Sequence, residues 1–308
     1  MDMLKDKFKE KLQGLSSREL IYGLVAVVVC LVAAMAMQLK PEEPEVAAMP
    51  AAKVTVQEDP RTVMVLNYHK VVDEHMSLSV PLADFEQHMK WLKEYGYTSI
   101  TPEELYEFIV NGSELPEKPV LITFDDGYRD NYENAFPVLQ KYGMTATIFL
   151  ISDFMDRFDK YLTWQQVQEM SEAGIYMGVH TLSHFELPGL SKAELYQQIE
   201  GGKLAIEWKT LKFTEYIAYP CGSYNADVLA VARDCGFKGG FTVRYDLVHP
   251  GDNPYLLSRV PIFGHNAHSF WKFKLRLHGA PLWGRLERLR AMLIRTGHPT
   301  MASIIWLP

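Results

Sequence analysis

The chain is poor in cysteine, with 3 in 308 residues, and it has no basic excess, its formal net charge being −7. The first shortage argues against a disulfide framework. Cys30 falls inside an apolar run, and the spacing of Cys221 and Cys235 demands no bridge, so free, buried thiols are expected. The acidic balance excludes a nucleic-acid function, which would want a basic stripe over a whole domain. A composition 48% hydrophobic and 22% charged is ample for one core of about 200–250 residues with extra segments around it.

The N-terminus carries a long apolar run. Ile21 to Leu39 is interrupted only by Tyr22 and Gln38, and at about 1.5 Å per residue it extends about 28 Å, close to the thickness of a bilayer core. Lys5, Lys7, Lys9, Lys11 and Arg18 precede it, whereas only Lys40 and Lys53 fall in the stretch that follows. This bias predicts a single-pass helix with residues 1–20 in the cytoplasm and the bulk of the chain outside. A cleaved signal peptide is the rival, since Ala34-Met35-Ala36 could serve a peptidase, but the run exceeds the usual length of about 7–15 residues. Val29 stands before Cys30 where a lipidation site would want a small residue. Residues 40–60, rich in Pro, Glu and Ala, read as a solvated tether.

Val120-Leu121-Ile122-Thr123-Phe124 reads as a buried strand, and Asp125-Asp126-Gly127-Tyr128 follows at its carboxyl end, where α/β proteins place their chemistry. A second β-rich stretch ends in His180-Thr181-Leu182-Ser183-His184. One carboxylate with two imidazoles is a common ligand set for a catalytic divalent ion. Adjacent side chains leave an extended chain in opposite directions, so the second carboxylate is free to act as a base. The His-x-x-x-His spacing brings both rings together either on one side of a helical turn or at the ends of a tight loop. Acidic turns ending in Gly are common and histidines often cap or face solvent; the two patterns at two strand ends together are harder to dismiss.

Strand and helix signals alternate along the middle of the chain. Strands are expected at Val63–Tyr68, Thr145–Ile151, Tyr176–Val179, Tyr216–Ala218 and Gly240–Val243. Thr101-Pro102-Glu103-Glu104 opens one helix, and Thr163-x-x-Gln166 and Ser191-x-x-Glu194 fit capping boxes for two more. Another helix is expected over Tyr132–Tyr142, with Asp130 and Asn131 as its caps. Such alternation favours a parallel sheet or a (β/α) barrel.

These motifs resemble the polysaccharide deacetylases, carbohydrate esterase family four, over about Val63 to Ile262. Leu66-Asn67-Tyr68-His69-Lys70-Val71 is similar to the family's opening strand and Tyr-His element. Tyr219-Pro220-Cys221-Gly222 resembles its Tyr-Pro-Tyr-Gly segment, and Leu257-Ser258-Arg259-Val260-Pro261 its late Arg-containing strand. The resemblance implies an irregular barrel of about seven strands, preceded here by the transmembrane helix, with the site at its carboxyl-terminal rim. It implies Asp126, His180 and His184 as ligands of a divalent metal, zinc first, with nickel, cobalt or manganese as alternatives, and Asp125 as base. Tyr128, Tyr219, Cys221 and Arg259 are the implied substrate or oxyanion groups, Cys221 through its neighbouring backbone N–H.

The chain departs from the family pattern in three places. No late Leu-x-His motif is present, Leu277-His278 being off by one residue, so the acid role passes to His69, as in the branch resembling exopolysaccharide (poly-N-acetylglucosamine) deacetylases. Ala218 stands where many members have an arginine that orients the catalytic aspartate; Arg259 is the candidate to supply that charge from another strand. Cys221 replaces an aromatic residue. The layout expected is a deacetylase domain over residues 61–265 and a basic amphipathic extension over 266–308. That extension carries Lys272, Lys274, Arg276, Arg285, Arg288, Arg290 and Arg295 against Glu287. It reads as a helix pair, lying either on anionic headgroups or on the barrel. The function expected is metal-dependent N-deacetylation of an N-acetylhexosamine polymer outside the cytoplasm, an exopolysaccharide or peptidoglycan. An O-acetyl esterase and a glycan-binding protein with a degenerate centre are the alternatives. Oligomeric state is not legible.

Overall fold

The computed structural model describes residues 62–74, 76–262 and 270–298, together with 302, 303 and 305. The expected anchor and tether lie outside these residues. Among the described residues no helix is long and apolar enough to cross a membrane.

The alternating signals resolve into β1 (Met64–Tyr68), β2 (Lys70–Val71), β3 (Ser79–Val80), α1 (Leu82–Glu94), β4 (Thr98–Ser99), α2 (Pro102–Asn111) and β5 (Pro119–Phe124). They continue as α3 (Phe136–Tyr142), β6 (Thr147–Leu150), α4 (Trp164–Glu172), β7 (Tyr176–Val179), α5 (Lys192–Thr210) and β8 (Tyr216–Ala218). The last elements are α6 (Ala226–Asp234), β9 (Gly239–Phe241), β10 (Val260–Pro261) and α7 (Phe270–Arg295). Capping boxes close the N-termini of α2, α4 and α5 at Thr101, Thr163 and Ser191, so donors that a helix start leaves unpaired are satisfied locally.

Seven strands pair in parallel in the order β10-β1-β5-β6-β7-β8-β9, and β4 joins the start of β5. Leu257, three residues before β10, bridges Phe241 of β9, so the segment 257–261 touches both ends of the path. This is the parallel, helix-flanked sheet of the (β/α) barrel class. Alternation along the strands sorts the core in two. Leu66, Tyr68, Ile122 and Phe124 pack under the helices, whereas Val65, Leu121, Phe149 and Phe241 form an inner cluster with Leu105 and Phe108 of α2. α2 therefore plugs the end of the barrel where the strands begin. Its Glu103 accepts hydrogen bonds from Tyr216 of β8 at 2.6 Å and from Lys238, just before β9, at 2.8 Å. The opposite rim is left for chemistry.

Three expectations need correction. The segment before α3 is a π turn over Asn131–Ala135 and not the start of an α-helix. The C-terminal stretch is one helix of 26 residues that continues through Pro281, and before the proline Phe273, Leu277 and Ala280 form a buried stripe at i, i+4 and i+7. Residues through Gly284 belong to the main compact unit, and α7 from Arg285 belongs to a second. Neither thiol of the folded domain is fully buried: Cys221 is exposed and Cys235 half-buried, both free.

Gly178 in β7 leaves room for Phe149, since a Cβ there would stand 2.4 Å from that ring. Gly178→Ala is expected to lower unfolding free energy by about 1–3 kcal/mol through overpacking, read from urea denaturation.

Candidate active site

Period-two alternation in β5 turns Leu121, Thr123 and Asp125 inward. Asp125 there meets Arg259, whose Nη1 and Nη2 each donate to one carboxylate oxygen at 2.7 Å. The same guanidinium donates to Thr123 Oγ1 at 3.3 Å and, through Nε, to the Thr242 carbonyl at 2.8 Å. Both charges are almost wholly buried. Burial alone would push the Asp125 carboxyl up, but the Arg259 charge and its paired hydrogen bonds outweigh it and hold the group well below the usual carboxylate range. The Asp125 N–H is tied to the Tyr68 carbonyl at 3.0 Å. His69, the next residue after Tyr68, brings Nε2 to 3.9 Å from Asp125 Oδ2.

Asp126 leaves β5 in the left-handed region, with φ 76°. The turn separates its carboxylate from that of Asp125 and aims it at the histidine loop. Asp126 Oδ1 lies 3.4 Å from His180 Nε2 and 3.5 Å from His184 Nε2. Burial first, and then the nearby Asp126 carboxylate, push the Tyr128 hydroxyl well above the usual phenol range, and its ring stacks on that of Tyr161 at 5.0 Å.

The histidine motif is a tight loop, the second of the two geometries its spacing allowed. Thr181 and His184 both adopt positive φ, 64° and 60°, strain of roughly 1–3 kcal/mol each that only surrounding structure can hold. α5 supplies the support. Gln198 accepts from Ser183 N–H through Oε1 at 3.0 Å and from Leu182 N–H through its carbonyl at 2.9 Å. Gly202 packs so closely that a Cβ would stand 2.9 Å from the Thr181 carbonyl carbon. Ser183 Oγ donates to Asp153 at 2.8 Å. His180 Nδ1 lies 2.7 Å from the Ala218 carbonyl, which places the ring proton there and leaves Nε2 with its lone pair toward Asp126.

These residues fit a divalent cation. Asp126 Oδ1 is buried with no hydrogen-bond partner, and the ligand atoms of Asp126, His180 and His184 all lie within 4.8 Å of one another. Burial lowers the pKa of both histidines and, aided by the Asp125 charge, raises that of Asp126. Two neutral imidazoles around a carboxylate oxygen that has no counter-charge of its own form a donor set suited to such an ion.

The other anticipated residues divide. Arg259 and Tyr128 sit directly on the two carboxylates. Cys221 is exposed at a left-handed turn, φ 56°, and burial followed by the carboxylates of Glu186 and Asp126 raises its pKa, so the thiol stays protonated. Tyr219 is not in the cleft: it is fully buried and its hydroxyl abuts Gly240, where a Cβ would lie 2.2 Å away. His278 bonds to the Lys274 carbonyl on α7 and faces Trp91. Asp130 and Asn131 do not cap a helix. Asp130 Oδ1 accepts from Val71 N–H at 2.7 Å and Asn131 Nδ2 donates to the His69 carbonyl at 2.8 Å, so the pair clamps the segment carrying His69. Burial pushes Asp130 up to about 6. Their place directly after the Asp-Asp-Gly-Tyr turn was the available signal.

The sequence profile of the polysaccharide deacetylases matches residues 112–240. YxkH of Bacillus subtilis, a protein assigned to the polysaccharide deacetylases, is 38% identical over 205 residues, spanning 67% of this chain and 73% of its own. The chain belongs to the polysaccharide deacetylase family. Among further relatives of this deacetylase is the poly-beta-1,6-N-acetyl-D-glucosamine N-deacetylase of Staphylococcus aureus, 28% identical over 69% of this chain and 82% of that one. The solved structure of IcaB from Ammonifex degensii superposes with a TM-score of 0.63 at 27% identity, covering 73% of this chain and 97% of that one.

Two outcomes test the deacetylase site. Arg259→Met leaves a buried carboxylate unpaired and should cost about 3–5 kcal/mol in urea denaturation. Because the folded pKa of Asp125 lies below its unfolded value, the stabilisation is present above the ordinary carboxylate value and is lost as pH falls toward the folded one. The wild-type advantage over Arg259→Met should therefore shrink on acidification. Zinc binding followed by calorimetry should be lost in Asp126→Asn and His184→Ala. In the wild type it should weaken only below the ordinary histidine pKa, since burial lowers both imidazoles.

Proposed function

We propose that this polysaccharide deacetylase hydrolyses N-acetyl groups of N-acetylhexosamine residues in a polymer outside the cytoplasm, with poly-N-acetylglucosamine ahead of peptidoglycan. The observation that carries the reading is the unpartnered Asp126 Oδ1 facing two imidazoles, beside a second carboxylate held ionised by Arg259. The similarity to proteins named for poly-N-acetylglucosamine deacetylation supports the polymer.

A divalent ion bound by Asp126, His180 and His184, zinc by preference, supplies Lewis-acid polarisation of the acetamide oxygen and a lowered pKa for water. Asp125, kept ionised, accepts the proton of the attacking water at Oδ2. His69 Nε2, 3.9 Å from that oxygen, is placed to take over this proton and deliver it to the departing amine. Burial keeps His69 neutral at rest, against the pull of Asp125, so it begins the cycle able to receive. The carbon–nitrogen bond breaks, acetate leaves, and the amine carries the proton away. In this reading Tyr128 orients Asp126, and the backbone N–H near Cys221 serves as an oxyanion donor. Arg259 supplies the charge that Ala218 lacks, which favours an enzyme over a glycan-binding protein.

The apolar run Ile21–Leu39 serves in this reading as a retained anchor, with the catalytic domain outside the cytoplasm and residues 40–60 as its tether. The support is the sequence alone: length, hydrophobicity and the placement of lysines.

Acetate release by the full chain in native membranes, from β-1,6-linked N-acetylglucosamine oligomers, is the direct measurement. Release should require added zinc, stop with chelator, and fall about 10²–10⁴-fold in Asp125→Asn and in His69→Ala. Undiminished release with chelator present would overturn the metal role. Full activity of His69→Ala would remove it from the proton path.

A further inference from the structure

The three most exposed large apolar side chains among the described residues are Trp208 at 80%, Leu211 at 88% and Phe213 at 84%. They fall within six consecutive residues at the end of α5. Leu204, at 57%, extends the same stripe, since 204, 208 and 211 repeat at i, i+4 and i+7. The opposite stripe of α5, Leu195, Ile199, Gly202 and Ile206, is buried, so the helix is apolar on both sides and, among the described residues, only one side is covered. Beside Phe213 a pocket of about 160 Å³ opens between Ile175, Met177 and Lys212. A contiguous exposed apolar cluster of this kind marks an interaction surface.

The surface has a defined place relative to the chemistry. Gln198 and Gly202 of α5 pack against the His180–His184 loop at the catalytic rim, and the helix runs on from there toward the end of the sheet where strands begin. Thr214, just past its end, donates through Oγ1 to the Met177 carbonyl near the start of β7 at 2.7 Å. Trp208, Leu211 and Phe213 thus lie toward the end of the sheet opposite the catalytic rim.

We propose that this tip is a membrane-docking wedge that inserts into the outer leaflet of an anionic bilayer and directs the catalytic rim away from the lipid. This choice of partner rests on the anchor reading above. Residues 40–60, at most about 3.3–3.6 Å each, can hold the domain no farther than roughly 70–75 Å from the end of the apolar run, so in that reading a lipid surface is within reach of it. The chemistry of the tip agrees. It combines Trp, Phe and two Leu with Lys209 and Lys212, the residue types of interfacial segments. Lys209 Nζ rests on the Trp164 ring at 5.6 Å and Lys212 Nζ on the Ser171 carbonyl, rather than on carboxylates. Lys203 is already neutralised by Glu207 at 3.3 Å. A sugar platform would surround its aromatic faces with amide and carboxylate hydrogen-bonding groups; here the stripe is completed by leucines.

The test places a nitrobenzoxadiazole label on the full chain at Leu211→Cys or Phe213→Cys, with Cys30, Cys221 and Cys235 replaced by Ser and folding checked by circular dichroism. Both positions are exposed, so the label displaces no packing. Control labels sit at Phe158→Cys, beyond β6 on the catalytic side, and at Val27→Cys in the apolar run. The proteins are added to phosphatidylglycerol–phosphatidylcholine vesicles with and without spin-labelled lipid. Labels at 211 and 213 should shift to the blue and be quenched about threefold more than the label at 158, as expected for side chains seated at the acyl boundary. Water-like emission at 211 and 213, or quenching no greater than at 158, overturns the wedge. A blue shift that needs no vesicles and grows with protein concentration overturns it in favour of self-association. The label at 27 scores the anchor separately, so the failure of one reading is not mistaken for failure of the other.

Discussion

The ion pair between Asp125 and Arg259 is the constraint on which the rest of the site depends. It joins the end of β5 to the segment before β10, two strands separated in the sheet only by β1, and it does so inside the barrel where neither charge can reach water. Two buried charges are tolerated only when each satisfies the other. Both oxygens of Asp125 accept from Arg259, and two further Arg259 donors go to Thr123 and Thr242. The result is a carboxylate whose position and ionisation are both determined before any substrate arrives.

Once Asp125 is committed inward, Asp126 can serve a different partner only if the chain turns sharply between them. The left-handed φ of Asp126, followed by Gly127 with φ 75°, is that turn. Left-handed residues recur in the facing loop at Thr181 and His184, and the structure that bears their strain is specific. Gln198 and Gly202 of α5 hold the loop from one side, Asp153 from another. Asp130 and Asn131 do the corresponding work for the His69 segment. The same α5 that braces the histidines presents its second, apolar stripe toward the end of the sheet opposite the catalytic rim.

Much of this was legible beforehand, and for local reasons. A capping box is a pattern over four residues: the two read at Thr163 and Ser191 both form, and the helix start read at Thr101 proves to be a third. β7 and β8 have the boundaries that β-rich composition predicts. The departure at Ala218 pointed to Arg259 as a replacement charge, and the guanidinium is where that argument needs it. Long-range packing was not legible. Tyr219 follows a strand within a motif that suggested substrate contact, yet its ring is absorbed into the core because Gly240 on β9 leaves a space for it. Asp130 and Asn131 carry the residue types of helix caps, but Val71 and the His69 carbonyl, 59 and 62 residues away, compete for them successfully. The C-terminal stretch reads as a helix pair, yet it forms one helix through Pro281.

By itself the sequence determined the elements, the parallel class of sheet, the metal-binding residue types and the family, because each is encoded in spacing along the chain: period two, period 3.6, caps and a short ordered set of motifs. Only the tertiary structure showed how Arg259 pairs with both oxygens of Asp125 and that Asp126 keeps a buried oxygen with no hydrogen-bond partner. It also decided that the histidines meet on a strained loop and that Tyr219 is core. Those outcomes depend on which side chains from distant strands arrive at the same buried point, where desolvation makes an unpaired charge too costly and forces each group to take the partner at hand.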